Sequence, residues 1–244
     1  MSSIQVHSDI KNRVRRSGYA VVEGKHFNVS STLKRHWPKF AETWNDLPPD
    51  EYMGGEAPCR LRRYSCLSYS PLSGAVSVMK DATFRQSKLF NPLFGGMERR
   101  FAPLRPETLN NPYLTELIDL ALRQWPIPDN RKELNWSVGV HQIRIASQNN
   151  DPASPTPEGI HRDGYQFVTI HFIARQNVSG GVSNIYDNQS RLLESFTLNA
   201  ALDSIFIDDC RVMHDVTPIL SERQGLVASR DTLILTYDCL SECG

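Results

Sequence analysis

The stretch "GIHRDGYQFVTIHFIAR", residues 159–175, changes from a turn-forming segment to a run of apolar and β-branched residues. The run that follows Gly164 predicts a buried strand. His161 and Asp163 precede it two positions apart, and alternate residues of an extended chain share one face. An imidazole and a carboxylate would then converge on one point, which is a metal-binding arrangement if a third ligand lies nearby.

Seven short β-rich runs, separated by turn residues, occupy the C-terminal half of the chain. They are "NWSVGVHQIRIAS", "YQFVTIHFIAR", "VSNIYD", "RLLESFTL", "DSIFIDD", "RVMHDVTP" and "DTLILTYD". This pattern is typical of an antiparallel sandwich or barrel. Before it, "PYLTELIDLALRQW" (112–125) has the apolar spacing of a helix. We expect a mostly β fold with flanking α-helices.

We expect residues 1–244 to form one domain, because that length suits a single β-barrel enzyme. Residues 1–130 would supply helical and mixed support, and residues 131–240 the barrel core. The segment 147–159 is a long loop that leads directly to His161, and long loops in compact domains are often functional.

The charge balance argues against polyanionic partners. Lys plus Arg and Asp plus Glu each number 27, so the formal net charge is zero and a small neutral or zwitterionic substrate is expected, with no nucleic acid and no membrane. The N-terminus lacks the apolar core of a signal peptide, and no long apolar stretch follows. Five cysteines in no framework spacing suit a reducing compartment, so a cytoplasmic location is expected. Cys239 and Cys243 are interpreted as unpaired thiols.

His214 is the candidate for the third ligand. It lies in a late β-rich run, 53 residues after His161, a separation that can bring two strands together across a small barrel. Two imidazoles and a carboxylate form the facial triad of non-haem Fe(II) oxygenases, which leaves metal positions open. The alternative is a histidine at a strand end, held by a neighbouring carboxylate.

Arg230 and Thr232 begin the last β-rich run and can share its inner face. A buried guanidinium group needs a partner, and a small dicarboxylate would supply one through two charge-assisted hydrogen bonds, with the Thr hydroxyl adding a third. The alternative is an arginine that extends from a strand end to solvent.

Together these motifs resemble the Fe(II)- and 2-oxoglutarate-dependent dioxygenases. The likeness narrows to the bacterial subfamily that includes the L-isoleucine 4-hydroxylases, which act on free amino acids. The segments that carry it, from about Gly18 to Asp238, are "RLRRYS", "FAPL", "VHQIRI", "PTPEGIHRDG", "GGVSNIYD", "HDVTPI" and "RDTLILTYD". The resemblance implies a double-stranded β-helix, a jelly-roll or cupin-like barrel, with helices packed outside.

The same resemblance implies the roles of the site residues. His161, Asp163 and His214 would bind Fe(II), while Arg230, assisted by Thr232, would hold the distal carboxylate of 2-oxoglutarate. Dioxygen would be the second cosubstrate. Arg230 follows His214 by 16 residues, so "SERQGLVAS" is expected to add a turn. Arg223, nine residues after His214, is the rival anchor, but it falls in a loop.

Substrate contacts are less defined by the sequence. Gln142 and Arg144 share one strand face and would reach the substrate if that face points into the barrel; otherwise they form a solvated face. Arg63 or Tyr64 could approach the pocket from outside the barrel. His141 and His171 are interpreted as structural histidines.

The predicted function is hydroxylation of an unactivated C–H bond of a free amino acid or close derivative, with release of succinate and CO2. Desaturation, epoxidation or cyclisation of a larger metabolite would use the same chemistry. The non-enzymatic alternative is a barrel that only binds metal or ligand. Substrate identity, stereochemistry and oligomeric state are left open by the sequence.

Overall fold

A computed structural model describes residues 3–53, 59–80, 83–91, 93–147 and 151–240. Within them the chain is mostly β-structure with a few helices, as predicted. Cys243 lies outside the described residues. No helix in the described part of the chain is long and apolar enough to cross a membrane.

Among the described residues, five α-helices and three short 3-10 helices lie in the N-terminal part of the chain, up to Arg131. The α-helices are α1 Ile10–Ser17, α2 Ser31–Lys34, α3 Trp37–Glu42, α4 Pro106–Leu109 and α5 Pro112–Gln124; the 3-10 helices are Gly24–His26, Thr43–Asp46 and Asp129–Arg131. Helix α5 confirms the helix predicted over 112–125. Its start is fixed by Asn111, whose side chain accepts a hydrogen bond from the Tyr113 N–H, and by Pro112 in the first turn.

Sixteen strands are present in the described residues. They are β1 Ile4–Val6, β2 Tyr19–Val22, β3 Phe27–Val29, β4 Arg60–Ser70, β5 Ala75–Val78, β6 Phe84–Arg85, β7 Glu98–Arg99, β8 Trp136–Ser147, β9 Phe167–Gln176, β10 Val178–Gly180, β11 Ser183–Tyr186, β12 Leu192–Phe196, β13 Ser204–Asp208, β14 Met213–Val216, β15 Ile219–Ser221 and β16 Ala228–Cys239. Each of the seven predicted β-rich runs contains a strand. The residues 222–227 form the predicted turn between β15 and β16.

The main sheet has seven strands in the order β2-β13-β9-β16-β8-β4-β5, and every neighbouring pair is antiparallel. Its centre comes from the C-terminal half, but β2, β4 and β5 lie before residue 130. The N-terminal part therefore extends both edges of the sheet as well as supplying helices.

A smaller set of strands faces the main sheet. Strands β12, β11 and β14 form one sheet, and β10 pairs with β15. Single bridges join His161 to His214 and Ala153 to Ile219, which places the end of the long loop beside β14 and β15. Ile170 of the main sheet and Ile185 of the smaller one belong to the same buried cluster. Neither sheet closes into a barrel within the described residues.

The opposite face of the main sheet is covered by helices. Leu233 and Leu235 of β16 belong to the same buried core as Leu117 and Ile118 of α5. Trp44 completes this layer, since its indole N–H donates to the Thr232 carbonyl oxygen at 3.2 Å. The sheet thus has an outer face under the helices and an inner face turned towards the smaller sheet.

Candidate active site

Three predicted ligands converge on the inner side of the smaller sheet. His161 and His214 exchange two backbone hydrogen bonds of 3.0 Å, which fixes their side chains next to each other. The Nε2 atom of His161 lies 3.8 Å from an oxygen of Asp163, and the Nε2 atom of His214 lies 3.7 Å from the other. One ligand atom from each residue lies within 4.8 Å of the other two.

The ligand atoms suit a divalent metal ion in chemistry as well as in spacing. The Nδ1 atom of His161 is 2.9 Å from the Gly159 carbonyl oxygen, to which an Nδ1–H donates, so Nε2 presents its lone pair to the site. Burial holds the pKa of His214 well below its usual range. His214 is therefore neutral, the form in which an imidazole binds metal. Two imidazoles and one carboxylate form a donor set that non-haem Fe(II) uses.

Asp209 holds the turn that carries Asp163. Its carboxylate accepts hydrogen bonds from the backbone N–H groups of Asp163, Gly164 and Tyr165, at 3.1, 2.7 and 3.1 Å. Burial, and then the charge of Asp163, raise the pKa of Asp209 to about 7. Gly164 has φ +87°, and an added Cβ would lie 2.7 Å from Phe90, so only glycine fits the turn. Asp209 could not be recognised from the sequence as a residue of the site, because its partners are 44 to 46 residues away.

Arg230 and Thr232 line the pocket that contains the three ligands. Arg230 is 4% exposed, and its Nε atom has no hydrogen-bond partner within the described residues. Burial, and then the positive charge of Arg175, lower the pKa of Arg230 to about 10. The rival residue Arg223 lies in the exposed turn between β15 and β16. Arg230 is therefore the buried guanidinium group available to a ligand at this end of the pocket.

Of the two orientations that the sequence left open for Gln142 and Arg144, the structure has the one that points away from the pocket. In the register of β8 they alternate with His141, Ile143 and Ile145, which line the pocket, so they lie on the outer face. Gln142 donates to the Thr43 hydroxyl at 2.7 Å. Arg144 donates to both oxygens of Asp231 at 2.7 Å. These partners belong to the helical layer and the outer face of β16.

Arg63 and Tyr64, the other candidates for substrate contact, lie on opposite faces of β4. Arg63 lies on the outer face of β4, where it donates to the Asp46 and Pro103 carbonyl oxygens. Tyr64 is buried on the inner face, with its ring centroid 4.5 Å from that of His141, and stands behind the residues that line the pocket. Neither side chain lines the pocket that contains the three ligands.

The structure brings other charged residues to the pocket that sequence reasoning missed. Arg60 and Arg62 of β4 and Arg99 of β7 line it together with His141. The Arg62 side chain comes within 2.6 Å of His141 Nδ1, which must accept because a guanidinium group has no acceptor. His171, by contrast, lies on the outer face of β9 and contacts Ser204 at 2.8 Å. The alternation in "RLRRY" indicated two faces, but not which one is internal.

Comparisons with known proteins define the class of the chain. Residues 41–236 match the family model described as 2OG-Fe dioxygenase. The chain is 24% identical to 3(1)-hydroxy-L-isoleucine 4-dioxygenase of Pantoea ananatis (strain AJ13355), over 91% of this chain and 92% of that protein. It is 28% identical to L-isoleucine-4-hydroxylase of Bacillus thuringiensis, over 79% and 78%.

A solved structure agrees with this assignment. The crystal structure of a bsmA homolog from Methylobium petroleophilum PM1 superposes with a TM-score of 0.78 at 29% identity, covering 96% of this chain and 97% of that one. The chain belongs to the 2OG-Fe dioxygenase family, because the family model spans most of its length. Fe(II), 2-oxoglutarate and dioxygen are accordingly the cofactor and cosubstrates of this class of enzyme.

Proposed function

We propose that the chain is a hydroxylase of a free amino acid or a close derivative. Its fold would be a double-stranded β-helix within one domain of residues 1–244. The four central strands β13, β9, β16 and β8 would form one layer. Four further strand positions support a second layer. They are the segment bridged at Ala153 and His161, β14 together with β15, β11 together with β10, and β12.

In this proposal His161, Asp163 and His214 bind Fe(II). The observation that carries it is the group of three ligand atoms within 4.8 Å of one another, in the same pocket as a buried arginine without an acidic partner among the described residues. Arg230 binds the distal carboxylate of 2-oxoglutarate through its planar fork, and Thr232 assists from the same strand face. A zinc hydrolase or a simple metal-binding module would have no use for Arg230.

The bound iron would supply oxidation of a C–H bond coupled to conversion of 2-oxoglutarate and O2 into succinate and CO2. The chain's own residues orient the reactants. Asp209 holds the backbone of the turn that carries Asp163, and the Gly159 carbonyl fixes the His161 ring. Ile143 and Ile170 line the same pocket, and their apolar side chains would exclude water and hold an aliphatic group.

The printed activities of the two curated relatives support an aliphatic amino acid as the substrate class. Hydroxylation is the leading outcome. Desaturation, epoxidation or cyclisation of a larger metabolite remains the alternative with the same cosubstrates, since substrate placement alone separates these outcomes. A cytoplasmic location stays a prediction from composition.

The test is to incubate the protein with Fe(II), 2-oxoglutarate and O2 against a pool of the twenty amino acids, following succinate and the mass of each amino acid. One amino acid that gains an oxygen, with matching succinate, is the expected result. Loss of two hydrogens would favour desaturation. Absence of both amino-acid products and amino-acid-stimulated succinate would contradict the proposal of an amino acid substrate.

A further inference from the structure

A cluster of basic side chains forms a second charged region of the pocket, separate from Arg230. Arg62 and Arg99 are 5% and 2% exposed. The Arg62 guanidinium carbon lies 4.0 Å from the ring centroid of Phe101, and that of Arg99 lies 4.8 Å from the ring centroid of Phe84. The aromatic rings lie against the faces of both groups, so hydrogen bonds form at the guanidinium edges, where Arg62 already contacts His141 and Arg99 donates to Gln86.

The acidic partners of this cluster are too few to balance it. Asp50 accepts from Arg60 Nε at 2.8 Å and stands 3.9 Å from Arg62. The Nε atoms of Arg62 and Arg99 are buried and have no hydrogen-bond partner within the described residues. Burial, and then the charge of Arg60, lower the pKa of Arg62 to about 9. An anion is therefore the ligand that this part of the pocket would stabilise.

Arg62 and Arg230 occupy separate positions on the inner face of the main sheet. Arg62 of β4 lies opposite Ile143 of β8, which lies opposite Thr232 of β16. In the same way, Ile145 stands between Arg60 and Arg230. With strands about 4.8 Å apart and two residues covering about 6.8 Å, the Cα atoms of Arg62 and Arg230 lie roughly 12 Å apart. Each position can therefore hold a carboxylate of its own.

Glu158 adds the opposite charge to the same pocket. Its side chain is 10% exposed, and its Oε2 atom is buried without a hydrogen-bond partner among the described residues. The Oε1 atom lies 3.5 Å from His161 Nε2, but Glu158 does not belong to the group of three ligand atoms within 4.8 Å. A buried carboxylate beside the metal ligands is suited to a cationic group of a ligand.

We propose that Arg62 and Arg99 bind the α-carboxylate of the substrate and that Glu158 binds its α-ammonium group. The pocket would then recognise a zwitterionic α-amino acid by both charges, while Arg230 holds 2-oxoglutarate. This inference rests on the proposed function, because it assigns the substrate end of the same site. It replaces Arg144 and Arg63, which the structure directs to the outer face.

The experiment measures binding without turnover. The protein with Fe(II) and 2-oxoglutarate is titrated anaerobically with L-isoleucine, with L-isoleucinamide, which lacks the carboxylate, and with 3-methylpentanoate, which lacks the ammonium group. Each analogue is expected to bind about 10- to 100-fold more weakly than L-isoleucine, the usual effect of one lost charge-assisted contact. Equal binding of isoleucine and isoleucinamide would overturn the carboxylate assignment.

The variants assign each charge to its residue. Arg62→Gln is expected to bring isoleucine down to the affinity of isoleucinamide, while the preference over 3-methylpentanoate remains. Glu158→Gln is expected to bring isoleucine down to the affinity of 3-methylpentanoate, while the preference over isoleucinamide remains. Arg63→Gln is the matched control, because it removes the neighbouring arginine of β4 from the outer face. In all three, 2-oxoglutarate affinity, read from the visible absorption of its Fe(II) chelate, should change by no more than about twofold.

Two further results decide between the inference and the proposed function. An Arg62→Gln variant that binds 2-oxoglutarate normally and still prefers isoleucine over isoleucinamide would overturn the subsite, even if the wild-type protein hydroxylates isoleucine. The wild-type protein could prefer isoleucine over isoleucinamide, lose that preference in Arg62→Gln, and form no oxidised product in air. That result would uphold the subsite and contradict the hydroxylase. If Arg62→Gln does not fold, the ratio of isoleucine affinity to isoleucinamide affinity is measured in Arg99→Gln and in Arg62→Lys. A ratio unchanged from the wild-type value in both variants would overturn the assignment.

Discussion

Arg144 and Arg230 lie on adjacent strands of one sheet but on opposite faces, and their surroundings differ. On the outer face, Arg144 donates to both oxygens of Asp231 and to Asn45. On the inner face, Arg230 has no hydrogen bond or ion pair within the described part of the chain, although it is 4% exposed. The first arginine is satisfied by the protein, and the second is left for a ligand.

The same contrast holds for β4. Arg63 on the outer face contacts Asp46 and two backbone carbonyl groups. Arg62 on the inner face keeps a buried, unpartnered Nε atom next to the pocket. A buried polar group without a partner destabilises the protein by about 1–3 kcal/mol, and more when charged. Arg62 and Arg230, the two charged groups of this kind on the described strands of the sheet, both lie on the inner face, which indicates that this face is built for charged ligands.

The largest expected effect comes from the metal ligands of the inner face. His161→Ala or Asp163→Ala should lower substrate oxidation by more than about 1000-fold, because the bound metal accounts for several kcal/mol of the barrier. Succinate formation in the presence of the amino acid substrate measures it. Arg63→Gln, on the outer face, serves as the control. Comparable turnover in either alanine variant would exclude that residue as a ligand.

Arg230→Ala should raise the apparent KM for 2-oxoglutarate by about 100-fold, since it removes a buried charge-assisted pair of hydrogen bonds. The affinity for the amino acid substrate should change far less. Initial rates measured against each cosubstrate in turn separate the two constants. A variant whose KM for 2-oxoglutarate is unchanged would contradict the assignment of this arginine.

Arg144→Ala should reduce the stability of the protein but leave 2-oxoglutarate binding intact, in contrast to Arg230→Ala. It leaves the Asp231 carboxylate, whose side chain is 4% exposed, without its cation. The free energy of unfolding should fall by about 2 kcal/mol, measured by urea denaturation. The KM for 2-oxoglutarate should stay at the wild-type value. An increase in that KM with unchanged stability would mean that Arg144 serves the pocket after all.

Asp209→Asn should have the smallest effect, about tenfold weaker Fe(II) binding. The variant keeps the shape of the side chain but weakens its grip on three backbone N–H groups of the turn that carries Asp163. Anaerobic metal titration measures it, and Asp208→Asn, one residue earlier, is the control. Unchanged iron affinity would show that the turn holds its conformation without the Asp209 charge.

The ligand set and its spacing could be predicted from the sequence because their chemistry is carried by local motifs. The two-residue spacing of His161 and Asp163 indicated that they lie together, and the β-rich run around His214 supplied the partner. The facing of the other strands could not be predicted, because alternation is the same whichever face is internal. The side of the sheet that the helices cover decides whether Arg62 or Arg63 faces the pocket. The same holds for Ile143 and Arg144.

Residues that act through loops were also beyond sequence reasoning. Glu158 and Asp209 reach the site through the long loop before His161 and through the turn after β13, so no periodicity marks them. Short strands such as β10 and β15 were missed for a similar reason, since three residues carry no alternation pattern.

Anaerobic titration with Fe(II) is the decisive experiment for the proposed metal site. We expect the wild-type chain to bind one Fe(II) tightly and a variant with alanine at His161, Asp163 and His214 to lose this site, while circular dichroism shows the fold retained. A folded triple variant that binds Fe(II) with the wild-type affinity and stoichiometry would contradict it.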